Sequence, residues 1–253
     1  DADALLPITL AQPADFAAGA YLPEALAGVL RPHGRALILE AGGGLGVLQA
    51  LATGVPEIVA VNSSSLERQA VAAVAGPFDP YAGPRVHAQV ASARAFIAGD
   101  RAAYDVIFLP LTDPYRPVTS GAYSLGETYG LTVEAFEALL ARLTLDGLLV
   151  VTRWLQTPPS ESLRLIATLA TALERRGVIA AGRALIAYRG IQTITVIVRP
   201  AGWQPDELAQ ARQFIAGRRY DLVWAPDIRD DETNRFNRLP RPADYEAMAA
   251  LLT

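Results

Sequence analysis

Four glycines in the word AGGGLG, namely Gly42, Gly43, Gly44 and Gly46, are the residues whose type and spacing speak first of chemistry. Without side chains, their backbone N–H groups can approach the polar tail of a nucleotide-like ligand at a helix N-terminus. The same word also makes a tight strand-to-helix turn that holds nothing. Asn62, followed by Ser63, Ser64 and Ser65, stands after the second apolar run, where such folds usually keep a ribose-binding acid. A carboxylate there takes two charge-assisted hydrogen bonds, whereas an amide accepts one and donates another. Losing the charged acceptor costs about 1–3 kcal/mol of binding, roughly one to two decades of affinity. Asn62 and its serines equally suit the cap of the following helix. Ser92, in QVASARAFI, takes the place of an acid that reads an adenine amino group; it also reads as a helix N-cap.

Asp113, in LPLTDPYRP, lies past the fourth apolar run, where a carboxylate can bind an amine or take its proton. An Asp before Pro114 is also an ordinary turn initiator. Leu109, the last residue of that run, is placed with the cofactor-binding set. Tyr123, Glu127 and Tyr129, in GAYSLGETYGLT, can line a substrate pocket with Glu127 toward a cation; a solvated loop acid is an equal reading of Glu127. The chain has no cysteine and two histidines, His33 and His87, which removes thiolate, disulfide and histidine-rich metal chemistry. No Ser-His-Asp set can be argued, and His87 falls inside an expected strand.

The elements that must position these residues alternate between strands and helices. Strands are expected at Ala36–Glu40, Glu57–Val61, Arg85–Val90, Tyr104–Leu109 and Leu148–Arg153. Helices are expected at Tyr21–Leu30, Val47–Thr53, Ser65–Val74, Ser92–Ala98, Glu161–Arg176, and Thr132–Leu143 with Thr132 as N-cap. Asp146-Gly147 reads as a turn. Ala184–Tyr188 and Thr193–Arg199 read as a hairpin. Beyond it lie a helix at Pro205–Gly217, the strand-like YDLVW and a last helix at Ala243–Leu252. The fold class is α/β: a mostly parallel, seven-stranded Rossmann-like sheet of the class I methyltransferase kind, with helices on both faces and a C-terminal antiparallel hairpin. It divides into a lead-in at 1–33, a core at 34–200 and a helical extension at 201–253.

Composition narrows the partners. A net charge of -4 with no dense Lys/Arg stretch excludes nucleic acid as a natural partner. No run of about 18 apolar residues is present to span a bilayer. The chain opens on Asp1 rather than Met, which reads as one domain cut from a longer protein.

The words LILEAGGGLGVLQALATG, YDVIFLPLTDPYRP and above all SLGETYGLTVEAFEALLARLTLDGLLVVTRW resemble the spermidine synthase family of aminopropyltransferases. The likeness is nearest to the spermidine-synthase-like domain of bacterial multi-pass membrane proteins and spans roughly 21–199. It implies a cytoplasmic transferase domain, S-adenosylmethionine or its decarboxylated form as cofactor, a small-molecule amine as acceptor, and a homodimer. The family's D-x-x-D-P word is P-L-T-D-P here, so Asp113 matches its second aspartate and Pro110 replaces the first, the proton acceptor. With Asn62 and Ser92 at two further acid positions, the resemblance implies a degenerate site in which polyamine synthesis itself is in doubt. A catalytically inactive binding module and a small-molecule methyltransferase are the competing expectations.

Overall fold

The computed structural model describes residues 7–111, 131–156 and 158–252. Four strands come first: β1 (Arg35–Leu39), β2 (Glu57–Asn62), β3 (Val86–Val90) and β4 (Tyr104–Leu109). They are followed by β5 (Leu143–Trp154), β6 (Leu185–Arg189), β7 (Thr193–Val198) and β8 (Asp221–Trp224). Among the described residues these form one eight-stranded sheet in the order β3-β2-β1-β4-β5-β7-β6-β8. The pairs from β3 to β5 are parallel, and those joining β7, β6 and β8 are antiparallel. The neighbours β1 and β4 lead away in opposite directions, which puts a topological switch point between their carboxyl ends.

The strand sequences explain this order. In β1, β2 and β4 nearly every residue is buried, as strands covered on both faces require. In β3 only Val86 is buried, in keeping with an edge strand. One core, with Leu26, Ile38, Val47, Ile58 and Phe214, packs α1 (Ala25–Leu30), α2 (Leu45–Ala52), α3 (Ser65–Ala75) and α7 (Pro205–Gly217) on one face. The other, with Leu39, Ile97, Phe136, Leu169 and Met248, packs α4 (Ala93–Gly99), α5 (Val133–Leu140), α6 (Glu161–Arg175) and α8 (Ala243–Leu252) on the opposite face.

Three expectations are corrected. The sheet gains an eighth strand because Asp221, 1% exposed, accepts backbone N–H bonds from Phe236 and Asn237 at 2.7 and 2.8 Å and faces Arg189 at 3.7 Å. That anchorage holds YDLVW against β6, with Ala187 opposite Trp224. The turn at Asp146-Gly147 is instead part of β5, whose register against β4 shifts between Tyr104–Leu143 and Val106–Leu148. Asp146 is held there by Arg199 and, through its carbonyl, by Arg31, and α5 accordingly stops at Leu140 rather than Leu143. The helix expected at Tyr21–Leu30 is broken at Pro23: a 3-10 turn covers Ala17–Tyr21 and α1 begins at Ala25. Thr132 does cap α5, its hydroxyl accepting from Ala135 N at 3.2 Å.

Candidate functional site

The glycine word forms the link between β1 and α2, at the carboxyl edge of the sheet beside the switch point. Gly42 and Gly44 have φ of +53° and +86°, a backbone region that glycine enters without a steric penalty. Gly44 is also pressed from outside. A Cβ there would stand 2.5 Å from Pro80 Cγ and 3.0 Å from Tyr81 Cε2. The need for glycine at this position is thus met by the protein's own packing. At Gly46 a Cβ would meet Ile38 Cγ2 at an ordinary 3.6 Å.

On the β2 side the turn is closed by internal hydrogen bonds. Asn62 is 2% exposed, and its Nδ2 donates to Gly42 O at 3.1 Å and to Tyr81 Oη at 3.3 Å. Tyr81 Oη in turn donates to Gly42 O at 2.7 Å. Burial pushes the Tyr81 phenol up to about 12, although Asn62 and Arg68 pull the other way. Arg68 pins this segment, pairing with Asp79 at 2.8 Å while its guanidinium lies 4.5 Å from the Tyr81 ring centroid. Asn62 Oδ1 is buried with no hydrogen-bond partner among the described residues. Ser63 and Ser92 flank this closed pair at the surface. The cap of α3 is Ser64, accepting from Glu67 N at 3.3 Å, and the cap of α4 is Ser92, accepting from Ala95 N at 3.2 Å.

The side facing β4, β5 and β7 is open. A cavity of about 310 Å³ is walled by Ala41 and Gly43 of the turn with Leu45, Gly46 and Gln49 of α2. Its far wall is Phe108, Pro110 and Leu111 at the end of β4, Thr152 of β5 and Thr193 of β7. Leu22, Pro23 and Glu24, leading into α1, close the rim. The lining is mainly apolar, and among the described residues Glu24 is its one carboxylate. Burial pushes the Glu24 carboxyl above the usual carboxylate range; a hydrogen bond from Thr152 and another from backbone act against that. The Thr152 hydroxyl, 2% exposed, lies 2.9 Å from that of Thr195 on β7.

The fold therefore brings Gly43, Gly46 and Pro110 around one cavity, and leaves Gly42, Gly44 and Asn62 in the closed half of the turn. Leu109 is buried in the core on the other face of the sheet. Asp113, Tyr123, Glu127 and Tyr129 lie outside the described residues. His87 is exposed on β3, 3.9 Å from Glu57. Sequence reasoning missed two acids. Glu24 was hidden in an expected amphipathic helix, where the signal was an acid beside Pro23 at the helix start. Glu40 follows β1 with φ +49°, and its carboxylate accepts from Ala93 N at 3.3 Å, tying the start of α4 to the glycine turn. Among the described residues no helix is long and apolar enough to cross a membrane.

No protein-family model and no curated protein sequence matches the chain. Solved structures do resemble it. A probable spermidine synthase from Corynebacterium glutamicum superposes with a TM-score of 0.57 at 19% identity, covering 83% of this chain and 75% of its own. Spermidine synthase from Thermotoga maritima gives a TM-score of 0.50 at 16% identity, covering 91% of this chain and 70% of its own. A spermidine synthase in complex with the transition-state analogue AdoDATO gives 0.50 at 14% identity, covering 91% of this chain and 69% of its own. The sheet order, the glycine turn after β1 and these superpositions agree: the chain has the spermidine-synthase-like, class I methyltransferase fold.

Proposed function

We propose that this domain binds an S-adenosylmethionine-type ligand weakly and transfers a group from it to a small-molecule amine or another nucleophile. The observation that carries this reading is the cavity itself. It joins Gly43 and Gly46 to the carboxyl ends of β4 and β5 and to the amino end of the antiparallel β7, and its volume of about 310 Å³ lies within the range of small-molecule sites, roughly 300–1,000 Å³. An adenosyl sulfonium supplies, when bound, an alkyl group on a positively charged sulfur. The residues fit that charged end better than they fit a ribose. Glu24 contributes a carboxyl to the cavity lining, whereas Asn62 is outside that lining and gives its Nδ2 to Gly42 and Tyr81.

The chain's own contribution is binding and orientation. Gly43 and Gly46 leave room for a ligand along the turn, and the mainly apolar walls suit its alkyl portions. Placement of two reactants in one cavity accounts for much of a transfer rate without a catalytic base. Where the resemblance expects the proton acceptor, Pro110 has no carboxyl to give, a loss of about 10²–10⁴-fold in rate for a reaction that needs one. Polyamine synthesis is therefore not the activity we propose. Asp113 is the acid we place toward the acceptor.

A second reading, a binding module without turnover, is favoured by the closed Asn62–Tyr81 half of the turn. Calorimetric titration with S-adenosylmethionine, its decarboxylated form and methylthioadenosine tests the first reading; absence of heat with all three up to millimolar removes it. A mass-spectrometric turnover assay that loses its signal on Asp113→Ala removes the second. The mass added to the acceptor separates methyl from aminopropyl transfer.

A further inference from the structure

We infer that Glu24 seats a positively charged alkyl group, an ammonium or a sulfonium, in the cavity beside the glycine turn. This inference deepens the transferase reading and rests on it for the identity of the ligand, though not for the charge that the site selects.

The argument starts from position. Glu24 precedes α1, and Pro23 before it is fixed by Tyr188 of β6, whose hydroxyl donates to Pro23 O at 2.6 Å. Tyr220 holds the same segment from the other end, donating to Tyr21 O at 2.7 Å. The carboxyl is thus placed by two ties of its own segment to the sheet. It faces a mainly apolar space, and an anion in such a space is costly unless paired. Among the described residues no salt bridge engages Glu24.

Thr152 of β5 shares the cavity wall with Glu24 and acts on its carboxyl against burial. The Thr152 and Thr195 hydroxyls, on paired strands, lie 2.9 Å apart. A hydroxyl carries no net charge, so these threonines do not neutralise a carboxylate. A cation entering the cavity takes the place of the proton that burial otherwise favours there. The walls leave space for an alkyl chain behind it: Leu22, Leu45, Phe108 and Leu111 are all in the lining.

Other ionisable groups around this segment do not supply that charge. Tyr188 and Tyr220 are phenols whose pKa values burial raises further, so both are neutral. Arg218 donates to Ala20 O at 2.6 Å and lies 3.8 Å from the Phe214 ring centroid. Arg153, next to Thr152 on β5, donates to the carbonyls of Pro110 and Thr152.

The test is calorimetry on the wild-type protein and Glu24→Gln with three probes: S-adenosylmethionine, methylthioadenosine, whose sulfur is uncharged, and 1,4-diaminobutane. Each titration is run in two buffers of different protonation enthalpy, across the carboxylate pH range. The expected result is that Glu24→Gln weakens at least one cationic probe by about tenfold or more and leaves methylthioadenosine within about twofold. The cation that responds names the source, sulfonium donor or amine acceptor. The wild-type protein should also release protons on binding that cation as the pH is lowered, and Glu24→Gln should not. Equal weakening of charged and uncharged adenosyl probes, or no weakening of either cation, overturns the inference. Should Glu24→Gln not fold, the wild-type proton count decides: no release at any pH overturns it. Failure of the transferase reading looks different, namely no heat from either adenosyl compound with diamine binding that still depends on Glu24. No binding by any probe overturns both.

Discussion

The two sides of the glycine turn are built from similar material and end in opposite states. Toward β2, Asn62 and Tyr81 converge on Gly42 O, and Pro80 fills the space over Gly44. Toward β4, β5 and β7, Gly43 and Gly46 border a cavity with one carboxyl among the described residues, the half-buried Glu24. One side has turned its donors on the chain itself, with Asn62 Oδ1 the buried atom left over among the described residues. The other keeps a carboxyl in mainly apolar surroundings that no salt bridge engages among the described residues, a cost that a fold supports where a ligand repays it. The glycines are therefore not equivalent, and the turn is a structural device on one side and a candidate seat on the other.

The largest predicted effect is at the closed side. Gly44→Ala combines an unfavourable φ with a Cβ 2.5 Å from Pro80 and should cost about 3 kcal/mol, a melting-temperature loss of roughly 6–12 °C. Gly46→Ala, whose Cβ meets only Ile38 at 3.6 Å, should stay within about 0.5 kcal/mol. Equal losses in thermal melts of the two variants would erase the distinction between the sides. Tyr81→Phe comes next. It removes the 2.7 Å donor to Gly42 O and should cost about 1–2 kcal/mol by denaturant unfolding.

Smaller effects separate two kinds of carboxyl. Arg212 holds Glu232 below the usual carboxylate range through a 2.6 Å hydrogen bond. A lowered pKa contributes stability above the unfolded value that is lost as the pH falls through the folded one. Glu232→Gln should therefore cost about 1 kcal/mol at neutral pH and nothing in strong acid. Glu24 has the opposite sign. Its raised pKa means that the folded state holds the proton more readily, so its contribution is intact below the usual carboxylate pKa and declines as the pH rises. Relative to wild type, Glu24→Gln should then melt slightly higher at neutral pH and equally at acid pH. A Glu24→Gln variant less stable at neutral than at acid pH would show a carboxylate already paired inside the protein.

The sequence was most legible where local signals decide. Tyr104–Leu109 is a strand at its expected bounds because six residues with hardly a polar group belong between two helical layers. Pro205–Gly217 and Ala243–Leu252 also match, the first opened by Pro205 at its N-terminus. The AGGGLG turn and the resemblance to spermidine synthases anticipated the fold. Distant contacts were not legible. The eighth strand depends on Asp221 receiving N–H groups from Phe236 and Asn237, and the path of β5 through Asp146 depends on Arg31 and Arg199. At the site, Asn62 was read for a ribose or a helix cap, and its partners turned out to be Gly42 and Tyr81. Glu24 acquires its meaning from the cavity it shares with Gly43, Phe108 and Thr152, residues that nothing in YLPEAL points to.

The central claim is that a ligand sits on the open side of the turn, and backbone-amide NMR during titration with S-adenosylmethionine tests it most directly. The account predicts saturable shifts at Gly43, Gly46 and Thr152. No saturable shift up to millimolar ligand, or shifts confined to residues away from this cavity, would contradict it.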